Sequence, residues 1–135
     1  MKALFDINIW IDIAARPIHY PDSAELFIHL LQKRHSIQLP LCGYTTIYYL
    51  LGQLIGEKGA REFLDSLLLR SVQFITFSKH ELMLARKLKL RDLEDACIVA
   101  SALNAESDVI VSRNSHDFRN SPIETLSPKQ LLQQL

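Results

Sequence analysis

The stretch Asp92-Leu-Glu-Asp-Ala-Cys-Ile-Val-Ala-Ser-Ala-Leu103 decides the fold, and Asp108-Val-Ile-Val-Ser-Arg-Asn-Ser-His-Asp-Phe118 follows it closely. The first segment has the length of a helix, a body of small apolar residues, and carboxylates at Asp92, Glu94 and Asp95. A helix that is apolar on nearly all sides is expected in the core of a fold. Three acids at the start of one buried helix exceed what capping requires. We therefore predict a buried helix that leads into a buried strand and brings acids to a functional site.

Short apolar runs alternate with helical patterns along the rest of the chain. The strand patterns lie at 2–5, 37–41, 72–75, 109–111 and near 123–125. The helical patterns lie at 8–14, 22–31, 45–55, 61–69, 79–88 and 93–103, with a last helix opened by Ser127-Pro128. Strands separated by helices predict a parallel sheet with right-handed crossovers. The chain is thus expected to be one α/β domain over residues 1–135, which is long enough to bury a core.

Two details of this pattern concern helix ends. Asp22 with Glu25, and Ser78 with Glu81, have the spacing of capping boxes. Gly56 and a second glycine at 59 are expected to bracket a turn between two helices.

Composition excludes several classes of protein. The chain is 48% hydrophobic and 22% charged, and 15 basic residues balance 15 acidic ones. Without a global positive field, any contact with nucleic acid has to be local. The basic runs 33–35 and 86–91 are candidates, but each is more simply interpreted as a solvated last helical turn, where cations favour the negative end of the helix dipole. Cys42 and Cys97 lack the spacing of a zinc site and are interpreted as reduced core residues. No membrane span or signal peptide is apparent, so we expect a cytoplasmic protein with no membrane contact.

The acids coincide with the ends of predicted strands. Asp6 ends the first strand and Ser112-Arg113-Asn114 ends the fourth, so both lie at the ligand-binding edge if those strands are neighbours. Crowded carboxylates repel one another unless a cation neutralises them, and oxygen ligands suit Mg²⁺ or Mn²⁺. Such an ion activates water and stabilises charge at a phosphodiester. Metal-dependent phosphodiester hydrolysis is the chemistry that these residues favour.

Each acid also has a purely structural interpretation. Asp6 could cap the first helix, Asp92 could cap the buried helix together with Asp95, and Asp117 could cap the turn before Phe118. If all of them were only caps, the chain would be a structural or interaction module.

Three segments in this order resemble the PIN domain family, which includes the toxin subunits of VapBC-type toxin–antitoxin pairs. They are Leu4-Phe-Asp-Ile-Asn-Ile-Trp-Ile-Asp12, Asp92-Leu-Glu-Asp-Ala96 and Ile110-Val-Ser-Arg-Asn-Ser-His-Asp-Phe118, and the likeness continues through Ser121-Pro-Ile123 and Leu126-Ser-Pro128. The resemblance implies a three-layer α/β/α fold with a central parallel sheet of four to five strands. It also implies a Mg²⁺-dependent ribonuclease, often homodimeric, that an antitoxin protein silences.

The resemblance also assigns roles to residues. The catalytic and metal-binding acids would be Asp6, Asp95 and Asp117. The resemblance makes Asn8 and Asn114 supporting positions. Glu94 and Ser112, which lie near the acids in the sequence, are also expected to support the site. Apart from the resemblance, Arg113 and Arg86 are expected as local basic groups to grip RNA phosphates.

One family acid is missing. The family usually carries a Glu in the helix after the second strand, and residues 45–50 offer Tyr48 as the most plausible counterpart. A phenol is neutral near pH 7 and does not replace a carboxylate at a metal. Glu94 or Asp12 are candidates to compensate. The alternative is a degenerate site that binds RNA or a partner protein without cleaving.

Overall fold

The computed structural model describes residues 1–135 and has a five-stranded parallel sheet at its centre. The strand order is β3-β2-β1-β4-β5. The strands are β1 (Lys2–Phe5), β2 (Ser36–Pro40), β3 (Val72–Ile75), β4 (Val109–Val111) and β5 (Thr125–Leu126). This arrangement confirms the predicted α/β/α class and the predicted parallel pairing.

Six helices and one 3₁₀ turn surround the sheet. The helices are α1 (Ile7–Ala15), α2 (Pro21–Gln32), α3 (Leu41–Leu68), α4 (Lys79–Ala85), α5 (Leu93–Asn104) and α6 (Pro128–Gln134), and the 3₁₀ turn is Ser115–Phe118. None of the helices combines the length and the apolar character needed to cross a bilayer.

An aromatic cluster joins β1 to the helices on one face of the sheet. The ring of Trp10 lies 5.3 Å from that of Phe5 and 5.8 Å from that of Phe27, measured between centroids. The indole Nε1 of Trp10 donates a hydrogen bond to the carbonyl oxygen of Phe5 at 3.2 Å. All three side chains are buried. Helices α1 and α2 are therefore fixed relative to β1, the strand that ends just before Asp6.

Helix α3 starts earlier than predicted and spans both of the helices predicted at 45–55 and 61–69. It begins at Leu41, four residues before the expected start, and continues to Leu68. The expected turn between two glycines is instead a kink at Gly56 alone, where φ is 84° and ψ is 159°. The residue at 59 remains helical. Because glycine adopts positive φ without steric penalty, one residue suffices to redirect the helix.

Other helix ends show smaller differences. Asp22 is not an N-cap, because α2 begins at Pro21, with Tyr20 as its N-cap. The capping box of Ser78 and Glu81 forms as predicted, but α4 ends at Ala85, three residues before the expected end. The fifth strand starts at 125, at the end of the predicted range.

The topological switch point lies between β1 and β4. Strand β1 pairs with β2 on one side and with β4 on the other, with Phe5 opposite Val111. The backbone N–H of Asp6 donates to the carbonyl oxygen of Val111 at 2.9 Å, so the residue after β1 is attached to the end of β4. The carboxyl edge at this point is where α/β sheets bind ligands.

Candidate functional site

Asp6 lies at the carboxyl edge of the sheet, directly after β1. The residue is only 5% exposed. Oδ1 accepts a hydrogen bond from the N–H of Ile7 at 2.7 Å, and Oδ2 accepts one from the hydroxyl of Ser112 at 2.8 Å. Burial raises the pKa of Asp6, and these two hydrogen bonds partly oppose that rise. Asp6 therefore does cap α1, and it is also held in one orientation by the end of β4.

Asp95 lies in the first turn of α5, half-buried and next to other acids. Asp92 performs the capping, since its Oδ1 accepts a hydrogen bond from the N–H of Asp95 at 3.1 Å. Burial and then the negative charges of Asp6, Asp92, Asp117 and Glu94 raise the pKa of Asp95 to about 7. Acids from three separate parts of the chain thus lie close enough to repel one another.

A cleft opens beside these acids. It has a volume of about 370 Å³. Asp117 forms part of its wall, and the Nε2 of His116 lies 3.1 Å from Asp117 Oδ1. The lining residues are Leu90, Arg91, Asp92, Asp95, His116, Asp117, Arg119 and Asn120. The cleft therefore combines carboxylates with two arginines, which is the mixture expected where a cation and a phosphate meet.

The oxygen ligands available at the cleft are of the type that binds a hard divalent cation. The candidate ligands are carboxylates, which Mg²⁺ and Mn²⁺ prefer. However, no group of three or more His, Cys, Asp or Glu side chains is arranged to hold an ion by itself. Mg²⁺ usually keeps several waters and binds through one or two carboxylates, so it does not require a closed set of protein ligands.

Helix α3 contributes an uncharged side chain to this region. Within residues 45–50, Thr46 is the side chain that reaches the acids, with its Oγ1 3.5 Å from Glu94 Oε2. Tyr48 instead donates a hydrogen bond to Glu57 at 2.8 Å and accepts one from Arg61 Nε at 3.1 Å. Neither side chain supplies a negative charge to this edge of the sheet.

Asp12 and Arg113 form a separate ion pair. Asp12 is fully buried, and its Oδ2 lies 2.6 Å from the Nε of Arg113. The guanidinium carbon also lies 4.2 Å from the ring centroid of Tyr20. Asp12 therefore neutralises Arg113 and does not add to the acid cluster. The phosphate-binding role expected for Arg113 has to coexist with this ion pair.

Of the remaining predicted site residues, Ser112 and Asn114 lie beside Asp6, whereas Arg86 does not line the cleft. The backbone N–H of Asn114 donates to the hydroxyl of Ser112 at 3.1 Å, so both support the turn beside Asp6. Asn8 is half-buried on α1, and Arg86 is exposed at the end of α4 without lining the cleft.

Sequence reasoning missed Arg119 and Asn120 as cleft residues and did not select Arg91 from its basic run. The position of Arg119 directly after the 3₁₀ turn carrying Asp117 was the available signal.

A protein-family model described as the PIN domain matches residues 2–116 of this sequence. The chain belongs to the PIN domain family. The sequence prediction of this family is therefore confirmed.

Solved structures of toxin–antitoxin proteins share the fold. The VapBC2 structure from Rickettsia felis, bound to a promoter DNA fragment, has a TM-score of 0.73 at 17% identity, covering 94% of this chain and 98% of that chain. VapBC-1 from nontypeable Haemophilus influenzae has a TM-score of 0.71 at 16% identity, covering 96% and 99%. VapC20 from Mycobacterium tuberculosis, a sarcin–ricin loop cleaving toxin, has a TM-score of 0.66 at 11% identity, covering 80% and 86%. At these identities the likeness establishes the fold alone. No protein of curated function matches the sequence.

Proposed function

We propose that this chain is a divalent-metal-dependent endoribonuclease that hydrolyses phosphodiester bonds in RNA. The observation that carries the proposal is that Asp95 and Asp117 line a cleft that also contains Arg91 and Arg119, while the charge of Asp6, which does not line the cleft, raises the pKa of Asp95. Membership of the PIN domain family supports it, and a solved structure with this fold is that of an RNA-cleaving toxin.

Within this proposal each of these side chains has a role. Asp6 and Asp95 would be the principal ligands of Mg²⁺ or Mn²⁺, and Asp117 would assist them. When bound, the ion would lower the pKa of a water molecule and offset charge on the phosphate oxygens. Ser112 would hold Asp6 in its binding orientation through their 2.8 Å hydrogen bond. Arg91 and Arg119 would bind RNA phosphates and so position the strand.

We further propose that the protein is the toxin of a toxin–antitoxin pair, with a protein antitoxin as its partner. The solved VapBC structures that share its fold support a partner of this kind. Large apolar side chains on α3 are exposed, with Tyr49 at 64% and Leu54 at 47%, and such exposure favours contact with another protein. We also propose that the protein is a homodimer and that it acts in the cytoplasm, where the free Cys42 and Cys97 would stay reduced.

RNA cleavage by metal-free protein with added Mg²⁺ or Mn²⁺ tests the function. The parent should cleave only with metal, and Asp6→Asn should abolish cleavage while the protein remains folded. Asp65→Asn, which removes an exposed carboxylate from α3, is the matched control and should cleave like the parent. Retained cleavage in Asp6→Asn would refute the assigned role.

A second candidate function is RNA or partner binding without cleavage. The uncharged Thr46 beside Glu94 and the lack of a closed group of three ligands favour it. Saturable RNA binding with no turnover at high Mg²⁺ and Mn²⁺ would select this function over the first.

A further inference from the structure

A basic groove lies at the opposite end of the sheet from the acid cleft. It is an open groove of about 640 Å³, lined by Leu31, Arg34, His35, Arg70 and Ser71. Residues 34 and 35 directly precede β2, and residues 70 and 71 directly precede β3. Because β2 and β3 are parallel neighbours, their amino ends bring these residues together.

The cations of this basic groove have no carboxylate partners. The five ion pairs of the chain involve other residues, so Arg34 and Arg70 are both unpaired. No acidic residue lines the groove. The guanidinium carbon of Arg70 also lies 5.9 Å from the ring centroid of Phe27, and both residues line a neighbouring apolar pocket. The chain has no net charge, and this groove is nevertheless a local concentration of positive charge.

The backbone conformation at Arg34 does not explain why the residue is an arginine. Its φ is 58°, in the left-handed region, and it follows Lys33, the C-cap of α2. The N–H of His35 donates to the carbonyl oxygen of Leu30 at 2.9 Å, which closes the helix end in a Schellman-type arrangement. Glycine is the residue that this backbone favours. Folding therefore does not require an arginine here, and its guanidinium is exposed at the groove.

We propose that this basic groove is a second RNA-binding surface that takes backbone phosphates away from the cleavage site. Guanidinium groups match the geometry of phosphate oxygens and bind them with two hydrogen bonds. An acidic protein partner fits less well, because protein interfaces have an apolar centre and Leu31 is the only apolar residue of the lining.

The position of the groove allows one RNA molecule to touch both sites. Strands of four or five residues separate the two edges of the sheet, which is a distance of about 13–17 Å at 3.3 Å per residue. A folded RNA could place a single-stranded segment at the acid cleft and a flanking segment at the basic groove. The groove would then contribute to affinity without contributing to chemistry.

Binding of a fluorescein-labelled RNA hairpin to metal-free protein, measured by fluorescence anisotropy over a range of salt concentrations, tests this inference. The variant is Arg34→Gly with Arg70→Gln. Glycine adopts the left-handed backbone at position 34, so Arg34→Gly should keep or raise the melting temperature. The control is Lys58→Gln with Lys79→Gln, which removes the same charge from two exposed positions outside the groove.

The groove variant should bind the hairpin about tenfold more weakly, and its slope of log K against log salt should be shallower by about 1–2. The control should bind within about twofold of the parent. Equal weakening in both variants, or no weakening in the groove variant, would overturn the inference. Polyglutamate binding that depends on the groove, without RNA binding, would also overturn it. Because no metal is present, the result does not depend on whether the protein cleaves RNA.

Discussion

Replacing Asp95 by Asn should make the metal-free protein more stable at pH 8. At this pH the parent holds Asp95 ionised next to Asp6, Asp92, Asp117 and Glu94, and this repulsion and the burial of the carboxylate oppose folding. Asn is nearly isosteric and uncharged, and the backbone N–H of residue 95 keeps its hydrogen bond to Asp92.

The magnitude follows from the raised pKa. A rise from 3.8 to about 7 corresponds to at most about 4 kcal/mol, at 1.36 kcal/mol for each pH unit. Solvent screening at a half-buried position reduces this, so we expect a gain of about 1–2 kcal/mol in the free energy of unfolding.

The same raised pKa fixes the direction of the pH dependence. Between pH 4 and 7 the folded protein keeps the proton of Asp95 and the unfolded chain releases it. The contribution of this group therefore stabilises the folded protein below about pH 4 and is lost as the pH rises through about 7.

Urea unfolding in EDTA at pH 5 and pH 8 measures both effects. The parent should lose stability between these two pH values relative to Asp95→Asn, and Asp65→Asn should behave like the parent. A variant that is less stable than the parent at pH 8 would refute the inference that acids crowd at this edge.

Four further predictions concern other residues. Ser112→Ala should lower the free energy of unfolding by about 1 kcal/mol, measured by urea unfolding, and slow RNA cleavage, because Asp6 loses a hydrogen bond. Arg113→Gln should cost about 3 kcal/mol in the same assay by leaving Asp12 buried without its cation, and adding Asp12→Asn should recover part of that loss. Gly56→Ala should cost about 1–2 kcal/mol because φ there is 84°. Arg119→Ala should raise the KM for RNA in cleavage assays while changing kcat less, and an unchanged KM would contradict its phosphate-binding role.

The strands could be predicted because their physical signal is local. Parallel strands buried on both faces are continuous apolar runs, so β1 and β4 have the bounds expected from sequence. The edge strand β3 also has the expected bounds, although its Gln73 is exposed. The start of α3 could not be predicted in this way. Its N-cap is Pro40, which makes no side-chain capping hydrogen bond, so the usual sequence signal of a helix start is absent.

The site was predictable only in part, for a similar reason. Asp6 and Ser112 could be placed together because each follows a strand and the two strands are neighbours. The position of Arg119 two residues after Asp117 was only a weak signal, since exposed arginines are common and the tertiary fold is what brings this one to the cleft. That Thr46 contacts Glu94 while Tyr48 contacts Glu57 depends on which face of α3 meets α5, and that is a property of the packing.

The proposed metal site requires that aspartates from distant parts of the chain form one cation-binding pocket. Diffraction from crystals soaked in Mn²⁺ tests it most directly, because the anomalous signal locates the ion. We predict an anomalous peak within coordination distance of Asp6 or Asp95, about 2.0–2.2 Å from a carboxylate oxygen, and no such peak in Asp6→Asn crystals. Full soaking with no peak at these carboxylates, or with a peak only elsewhere on the molecule, would contradict the account.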